Sequence, residues 1–286
     1  PWYEIQIYWD GSFGICCQED HRLYDASDSR YNIARMSILE WFNSEPARRF
    51  RVDMLGHKPV SACRRCYVDE SHDGDSRRLR SNQKSVIFTR TAFEHSFDQS
   101  PGYRNFLYTD WYHGQTLTHP IDIHVDLGNF CNLACKMCNP RASSTIASQH
   151  IKWGIESSRQ YLGTDWTRNT EVWNSFKQQL LEIPDLNNIH FMGGETLLTD
   201  RFEDLVDTML AAGRTDLCFS FVTNGTVYKP SLIQKLSNFR RVGIEISIES
   251  ITAHNAYQRQ GTDTQVVLHN IQRYLMMCNG TSITVA

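Results

Sequence analysis

Asn129-Phe130-Cys131-Asn132-Leu133-Ala134-Cys135-Lys136-Met137-Cys138-Asn139-Pro140 is the stretch on which the reading of this chain turns. Its cysteines are spaced Cys-x3-Cys-x2-Cys, directly after an extended apolar run at 121–127 and just before a helical pattern. Three soft thiolates on one tight loop can hold three corners of an iron–sulfur cube and leave the fourth iron open to another ligand. The competing reading is a structural zinc site, which needs a fourth donor at tetrahedral distance. His124, on the preceding strand, is the candidate for that donor.

Outward from this loop toward the C-terminus, short β-branched stretches alternate with amphipathic ones. Strands are expected at 121–127, 188–192, 217–223, 242–248 and from 283, with helices at 142–152, 172–182, 200–212, 230–238 and 264–278. Such alternation means a parallel sheet, open or curled into a barrel, and ligands of these sheets sit at the carboxyl ends of the strands. The motifs lie there. Phe191-Met192-Gly193-Gly194-Glu195 closes the second strand, Thr223-Asn224-Gly225 the third, and Ser247-Ile248-Glu249-Ser250 the fourth, with Arg259-Gln260-Gly261 beyond. Paired glycines let backbone approach a ligand closely, and a carboxylate can accept from an ammonium. Taken singly, Gly-Gly is also an ordinary strand-to-helix turn, and an arginine at a helix start is an ordinary surface residue.

Toward the N-terminus, residues 1–17 read as a hairpin turning at Asp10-Gly11, with Tyr3, Ile5, Ile7 and Trp9 on one face and Glu4, Gln6 and Tyr8 on the other. Residues 36–55 have helical periodicity interrupted near Pro46, and Gly56 marks the stop. Cys63-Arg64-Arg65-Cys66 is placed on a turn, 69–85 reads as a solvated helix or linker, and 93–118 as a connection. This gives a small cysteine-containing α+β domain at 1–90, a linker at 91–118 and an α/β domain at 119–286. The chain opens at Pro1-Trp2 and closes on a strand-like 282–286. The expectation is a piece of a longer polypeptide whose barrel stops at its fifth strand.

Composition narrows the classes. Among 286 residues, 29 Lys and Arg stand against 32 Asp and Glu, a formal net charge of -3, which argues against a nucleic-acid partner. No apolar run is long enough to span a bilayer. Nine cysteines is an odd count, and seven fall in short clusters (Cys16-Cys17, Cys63-x2-Cys66 and the run at 131–138), which favours metal thiolates in a reducing, cytoplasmic compartment over a disulfide framework. Cys218 and Cys278 read as buried core residues.

The cysteine run, with Met137 in the apolar position before its last cysteine, resembles the signature of the radical S-adenosylmethionine (SAM) superfamily. Gly193-Gly194-Glu195 resembles that family's Gly-Gly-Glu motif, one βα unit later. The resemblance implies a partial (β/α)6 barrel, incomplete at its C-terminal end. In the family Cys131, Cys135 and Cys138 would bind a 4Fe-4S cluster whose fourth iron is chelated by SAM. Gly193, Gly194 and Glu195 would face the methionine moiety, Thr223 and Asn224 the ribose, and Ser247 and Arg259 the carboxylate. Two departures weaken the last pair: Glu249 stands where the family has Asp, and Gln260 separates Arg259 from Gly261.

At the N-terminus, Gly11-x4-Cys16, Cys63-x2-Cys66, Trp41-Phe42-Asn43-Ser44-Glu45 and Cys66-Tyr67-x2-Glu70 resemble the twitch half of the SPASM domain, set before the barrel as in one subgroup. That implies an auxiliary 4Fe-4S cluster held by Cys16, Cys63 and Cys66, with a fourth ligand from Cys17 or from upstream. A zinc knuckle is the alternative. The implied chemistry is reductive cleavage of SAM to a 5′-deoxyadenosyl radical that abstracts hydrogen from substrate, fed by a flavodoxin- or ferredoxin-type electron donor. The implied substrate is a peptide or protein side chain, with a sugar or nucleotide-derived small molecule as the alternative. A zinc-stabilised, non-catalytic binding module is the rival class. A ferredoxin-like carrier is disfavoured, because it wants four thiolates per cluster and no Gly-Gly-Glu.

Overall fold

The computed structural model describes residues 2–19, 23–24, 28–80, 109–110, 112–116, 119–277 and 282–285. Two compact units emerge: 1–7 with 12–124 and 183–186, and 8–11 with 125–182 and 187–286. The expected end of the last helix, including Cys278, and most of the connection at 93–118 lie outside the described residues.

In the first unit, strands β1 (Glu4–Ile7) and β2 (Phe13–Gly14) pair antiparallel, Gln6 opposite Gly14 and Ile7 opposite Phe13. All four β1 side chains are buried, so the polar face with Glu4 and Gln6 is covered as well as the apolar one. Glu4 is covered because it carries an ion pair with Arg77. Helix α1 (Ile38–Phe42) opens with a capping box between Ser37 and Glu40. Its Trp41 stacks on Phe13 at 5.4 Å and donates Nε1–H to the Gly14 carbonyl.

After the break at Asn43-Ser44, α2 (Glu45–Leu55) begins with Pro46 in its first turn, where a missing N–H costs nothing. The buried Arg51 donates to the carbonyls of Phe42 and Gly114, and burial pushes its guanidinium down to about 10. A short 3-10 turn, Ser61–Cys63, leads into α3 (Arg64–Asp73), which ends at Gly74 in the left-handed region. Cys63 and Cys66 therefore flank the first turn of a helix and are not on a loop turn as expected.

In the second unit the strand order is β3 (Asp122–Asp126, its last two residues), β5 (Asn188–Met192), β6 (Cys218–Thr223), β7 (Arg241–Ile246) and β9 (Ser282–Val285). The pairs β5–β6, β6–β7 and β7–β9 are parallel. A separate two-stranded ladder joins β4 (Ala134–Cys135) to β8 (Arg259–Gln260). Helices α4 (Ser144–Lys152), α5 (Thr170–Glu182), α6 (Asp200–Ala211), α7 (Pro230–Leu236) and α9 (Thr264–Met277) separate the strands, with a short α8 (His254–Gln258) before β8.

One strand face is apolar and buried, carrying Ile189, Phe191, Phe219, Phe221, Val242, Ile244 and Ile246. Phe202 of α6 sits at its centre, with ring centroids 4.8 Å from Phe191 and 5.1 Å from Phe221. The opposite face holds the half-buried Asn188, His190, Ser220 and Glu245. Cys218 is on this second face, half-buried, its sulfur accepting from Arg240 Nη2 at 3.2 Å, so it is not the core residue the sequence implied. Among the described residues no helix is long and apolar enough to cross a membrane.

Phe202→Ala removes a ring enclosed by three others and should cost about 3–5 kcal/mol, read as a lowered denaturant midpoint with unchanged slope.

Candidate active site

The cysteine loop is held by the elements on either side of it. Asn129, almost fully buried, donates from Nδ2 to the carbonyls of Pro140 and Tyr161, which ties the two ends of the loop together. Ser143 caps α4 and also donates to the Leu133 carbonyl at 2.7 Å. Thr145 Oγ1 donates to the Cys131 carbonyl, and Ser144 Oγ accepts from the Cys131 N–H. Leu133 and Ala134 are buried anchors, while Met137 between the last two thiols stays exposed. Cys138 N–H closes a turn onto the Cys135 carbonyl. The result is three thiols on a braced arc.

Burial pushes the Cys131 thiol up to about 11 and also raises Cys135 and Cys138, with Arg259 opposing the rise at Cys135. Ligation by a cationic metal centre is what would hold such thiols deprotonated. Two groups of described residues are close enough to share a single ion, Glu4–Cys16–Cys17 and Glu4–Asp122–His124. His124, the zinc reading's fourth donor, instead lies 3.8 Å from Glu4 and 3.7 Å from Asp122, and burial pushes it down to about 3.

Gly193 and Gly194 follow β5 with φ of 78° and 56°. A Cβ on Gly194 would stand 2.4 Å from the Phe130 carbonyl oxygen, and one on Gly193 would stand 2.8 Å from Asp126 Cβ. The glycines thus let the end of β5 press against the entry to the cysteine loop, where Glu195 N–H donates to Phe130 O at 2.8 Å. The Glu195 side chain turns inward and is 2% exposed. It accepts from Thr223 Oγ1 at 2.7 Å, Asn224 N–H at 2.6 Å and Leu197 N–H at 3.1 Å. Burial raises its pKa, and these three bonds oppose the rise.

Thr223 and Asn224 are likewise buried. Asn224 Oδ1 accepts from Thr226 N–H and Oγ1–H, which points its Nδ2 at Asn132 Oδ1 (2.9 Å) and Cys131 Sγ (3.9 Å). Ser247 is half-buried, its N–H donating to the Thr223 carbonyl at 2.9 Å. Arg259 lies opposite Cys135 in the β4–β8 ladder. Its Nη1 is 3.9 Å from Cys135 Sγ, its Nη2 is 2.7 Å from Glu249 Oε1, and its Nε is buried with no partner among the described residues. An orphaned buried N–H beside the Cys135 thiol fits an anionic cofactor group such as a carboxylate. The contact to Cys135 has no local signal, since 124 residues separate the pair.

In the first unit, Cys16 and Cys17 hydrogen-bond to each other, which pulls Cys16 down to about 7 and raises Cys17. Cys63, raised to about 11 by burial, feels both Cys66 and Cys16. Arg77 Nη2 reaches both Glu4 oxygens, at 3.2 and 3.3 Å. Glu4 beside the paired thiols was missed because its position on the polar strand face carries no signal of that contact.

Residues 125–285 match the family model described as the radical SAM superfamily, and residues 1–67 match that of SPASM, an iron-sulfur cluster-binding domain. The first match spans more than half of the chain, which belongs to the radical SAM superfamily. No curated protein matches it. Among solved structures it is similar to native anSMEcpe with bound AdoMet, at 20% identity and TM-score 0.44, over 58% of this chain and 43% of that one. It is also similar to SuiB from Streptococcus suis, solved with S-adenosylmethionine and with the precursor peptide SuiA. Both comparisons give 11% identity, TM-score 0.39 and 70% of this chain, over 45% and 46% of those chains. The chain spans less than half the length of these structures.

Gly194→Ala should destabilise the protein by ~1–3 kcal/mol and strip most of the iron bound at Cys131, Cys135 and Cys138, measured as iron and sulfide per chain. Gly213→Ala is the control, with φ of 72° but nothing within 4 Å of the new Cβ, and should keep its iron. Glu195→Gln puts an amide donor against N–H groups and should lower stability by about 1–3 kcal/mol, read in equilibrium unfolding of the metal-free protein.

Proposed function

We propose that this chain carries radical SAM chemistry, with Cys131, Cys135 and Cys138 as ligands of a 4Fe-4S cluster. The observation that carries the reading is convergence: the ends of β5, β6 and β8 all brace the cysteine loop, through Gly194, through Asn224 and through Arg259. When bound by these residues, a 4Fe-4S cluster and SAM would supply reductive cleavage of the sulfonium and, through it, radical hydrogen abstraction from substrate.

The chain's own residues bind and orient. The backbone at Gly193 and Gly194 would hold the SAM ammonium, and the buried Arg259 Nε and the Ser247 hydroxyl would take its carboxylate. Met137 offers an exposed apolar surface beside the thiols. Glu195, Thr223 and Asn224 act beneath this layer, fixing the loop. The N-terminal cysteines Cys16, Cys63 and Cys66, with Cys17 as the fourth thiol, hold an auxiliary 4Fe-4S cluster. The substrate is a peptide or protein side chain, a reading that rests on the twitch-like arrangement before the barrel. The electron donor is of flavodoxin or ferredoxin type, in a reducing cytoplasm.

Anaerobically reconstituted protein should be brown and, with dithionite and SAM, release 5′-deoxyadenosine and methionine in equal amounts. Cys135→Ala should reduce this to background by liquid chromatography. Product formation unchanged in that variant would refute the ligand assignment.

A further inference from the structure

We propose that Arg259 and Asn224 are second-sphere N–H donors to the thiolates of Cys135 and Cys131, and that they set the reduction potential of the cluster those thiolates hold. The inference rests on the cluster reading above and extends it to two residues whose sequence motifs implied only SAM contacts.

The geometry is built rather than incidental. Ala134–Cys135 pairs antiparallel with Arg259–Gln260, and Lys136 N–H donates to the Gln258 carbonyl at 2.8 Å, so the ladder holds Arg259 directly across from Cys135. The guanidinium is largely enclosed, at 14% side-chain exposure. Glu249 fixes its far side at 2.7 Å, and Glu249 is itself positioned by its N–H donating to Oδ1 of the fully buried Asn255. Of the two remaining nitrogens, Nη1 faces the Cys135 sulfur at 3.9 Å, within reach of an N–H to sulfur contact.

Asn224 is fixed in the same way from three directions. Its N–H is held by Glu195, and its Oδ1 is occupied by two donors from Thr226, which settles the orientation of the amide and turns Nδ2 toward Cys131. Both residues present hydrogen to sulfur, and one also brings a permanent positive charge.

Reduction adds an electron to the cluster, and the added negative charge spreads onto its sulfurs. Donors and cations beside those sulfurs stabilise the reduced state more than the oxidised one and raise the potential. Glu249 works in the opposite sense, because its carboxylate partly neutralises Arg259. The Glu249 side chain reaches the guanidinium and moderates its charge.

The test is a redox titration of the reconstituted protein followed by electron paramagnetic resonance in the absence of SAM. The signal that changes on later addition of SAM identifies the cluster at Cys131, Cys135 and Cys138. Arg259→Gln and Asn224→Asp should each move its midpoint to a more negative value. Arg259→Lys should fall between Arg259→Gln and the parent, and Glu249→Gln should move the midpoint the other way, to a less negative value. Should Arg259→Gln fail to load iron, the sign of the Glu249→Gln shift decides alone. Unchanged midpoints, or a Glu249→Gln shift of the same sign as Asn224→Asp, would overturn the proposal, as would SAM affinity falling in Arg259→Gln with no change in potential. Absence of any SAM-responsive signal in the parent protein would instead refute the cluster assignment itself.

Discussion

A single buried carboxylate ties the site together. Glu195 sits at 2% exposure where the end of β5 meets the end of β6, and each of its hydrogen bonds fixes something the cysteine loop needs. Its own N–H holds the Phe130 carbonyl, its side chain holds Thr223 and the Asn224 N–H, and Asn224 in turn faces Cys131. A carboxyl group this deep is tolerated only because three donors replace its water. The same requirement explains the glycines before it. With any Cβ at 194 the strand end could not approach Phe130, and the carboxylate would have no reason to be where it is.

This arrangement separates two tasks that a sequence motif merges. Gly-Gly-Glu and Thr-Asn-Gly both resemble cofactor-contacting motifs, yet here the side chains of Glu195, Thr223 and Asn224 face protein. What stays available to a ligand is backbone at the glycines, the exposed Met137, the half-buried Ser247 and the orphaned Nε of Arg259. Precision at a reactive metal centre comes from the supporting shell as much as from the ligands. That shell includes the ladder that clips Arg259 against Cys135.

The strand and helix order of the second unit was legible in the sequence, because periods of 2 and 3.6 are local properties. The expected strand at 188–192 coincides with β5, and the expected helix at 200–212 ends one residue beyond α6. The three cysteines were legible for the same reason: their spacing is itself the signal. What was not legible depends on contacts across distance. Glu4 reads only as part of the polar strand face, and its partner Arg77 lies 73 residues away. Cys63 and Cys66 read as a turn because the apolar content is low, but a helix begins there. Cys218 reads as core until Arg240 is found on its sulfur.

The most direct measurement of the central claim is Mössbauer spectroscopy of protein reconstituted with 57Fe, recorded with and without SAM. The account expects a four-iron cubane in which one iron changes its isomer shift and quadrupole splitting when SAM is added, and in which Cys131→Ala removes that subsite. A reconstituted protein holding no cubane, with zinc bound at Cys131, Cys135 and Cys138 in tetrahedral sulfur ligation, would contradict it.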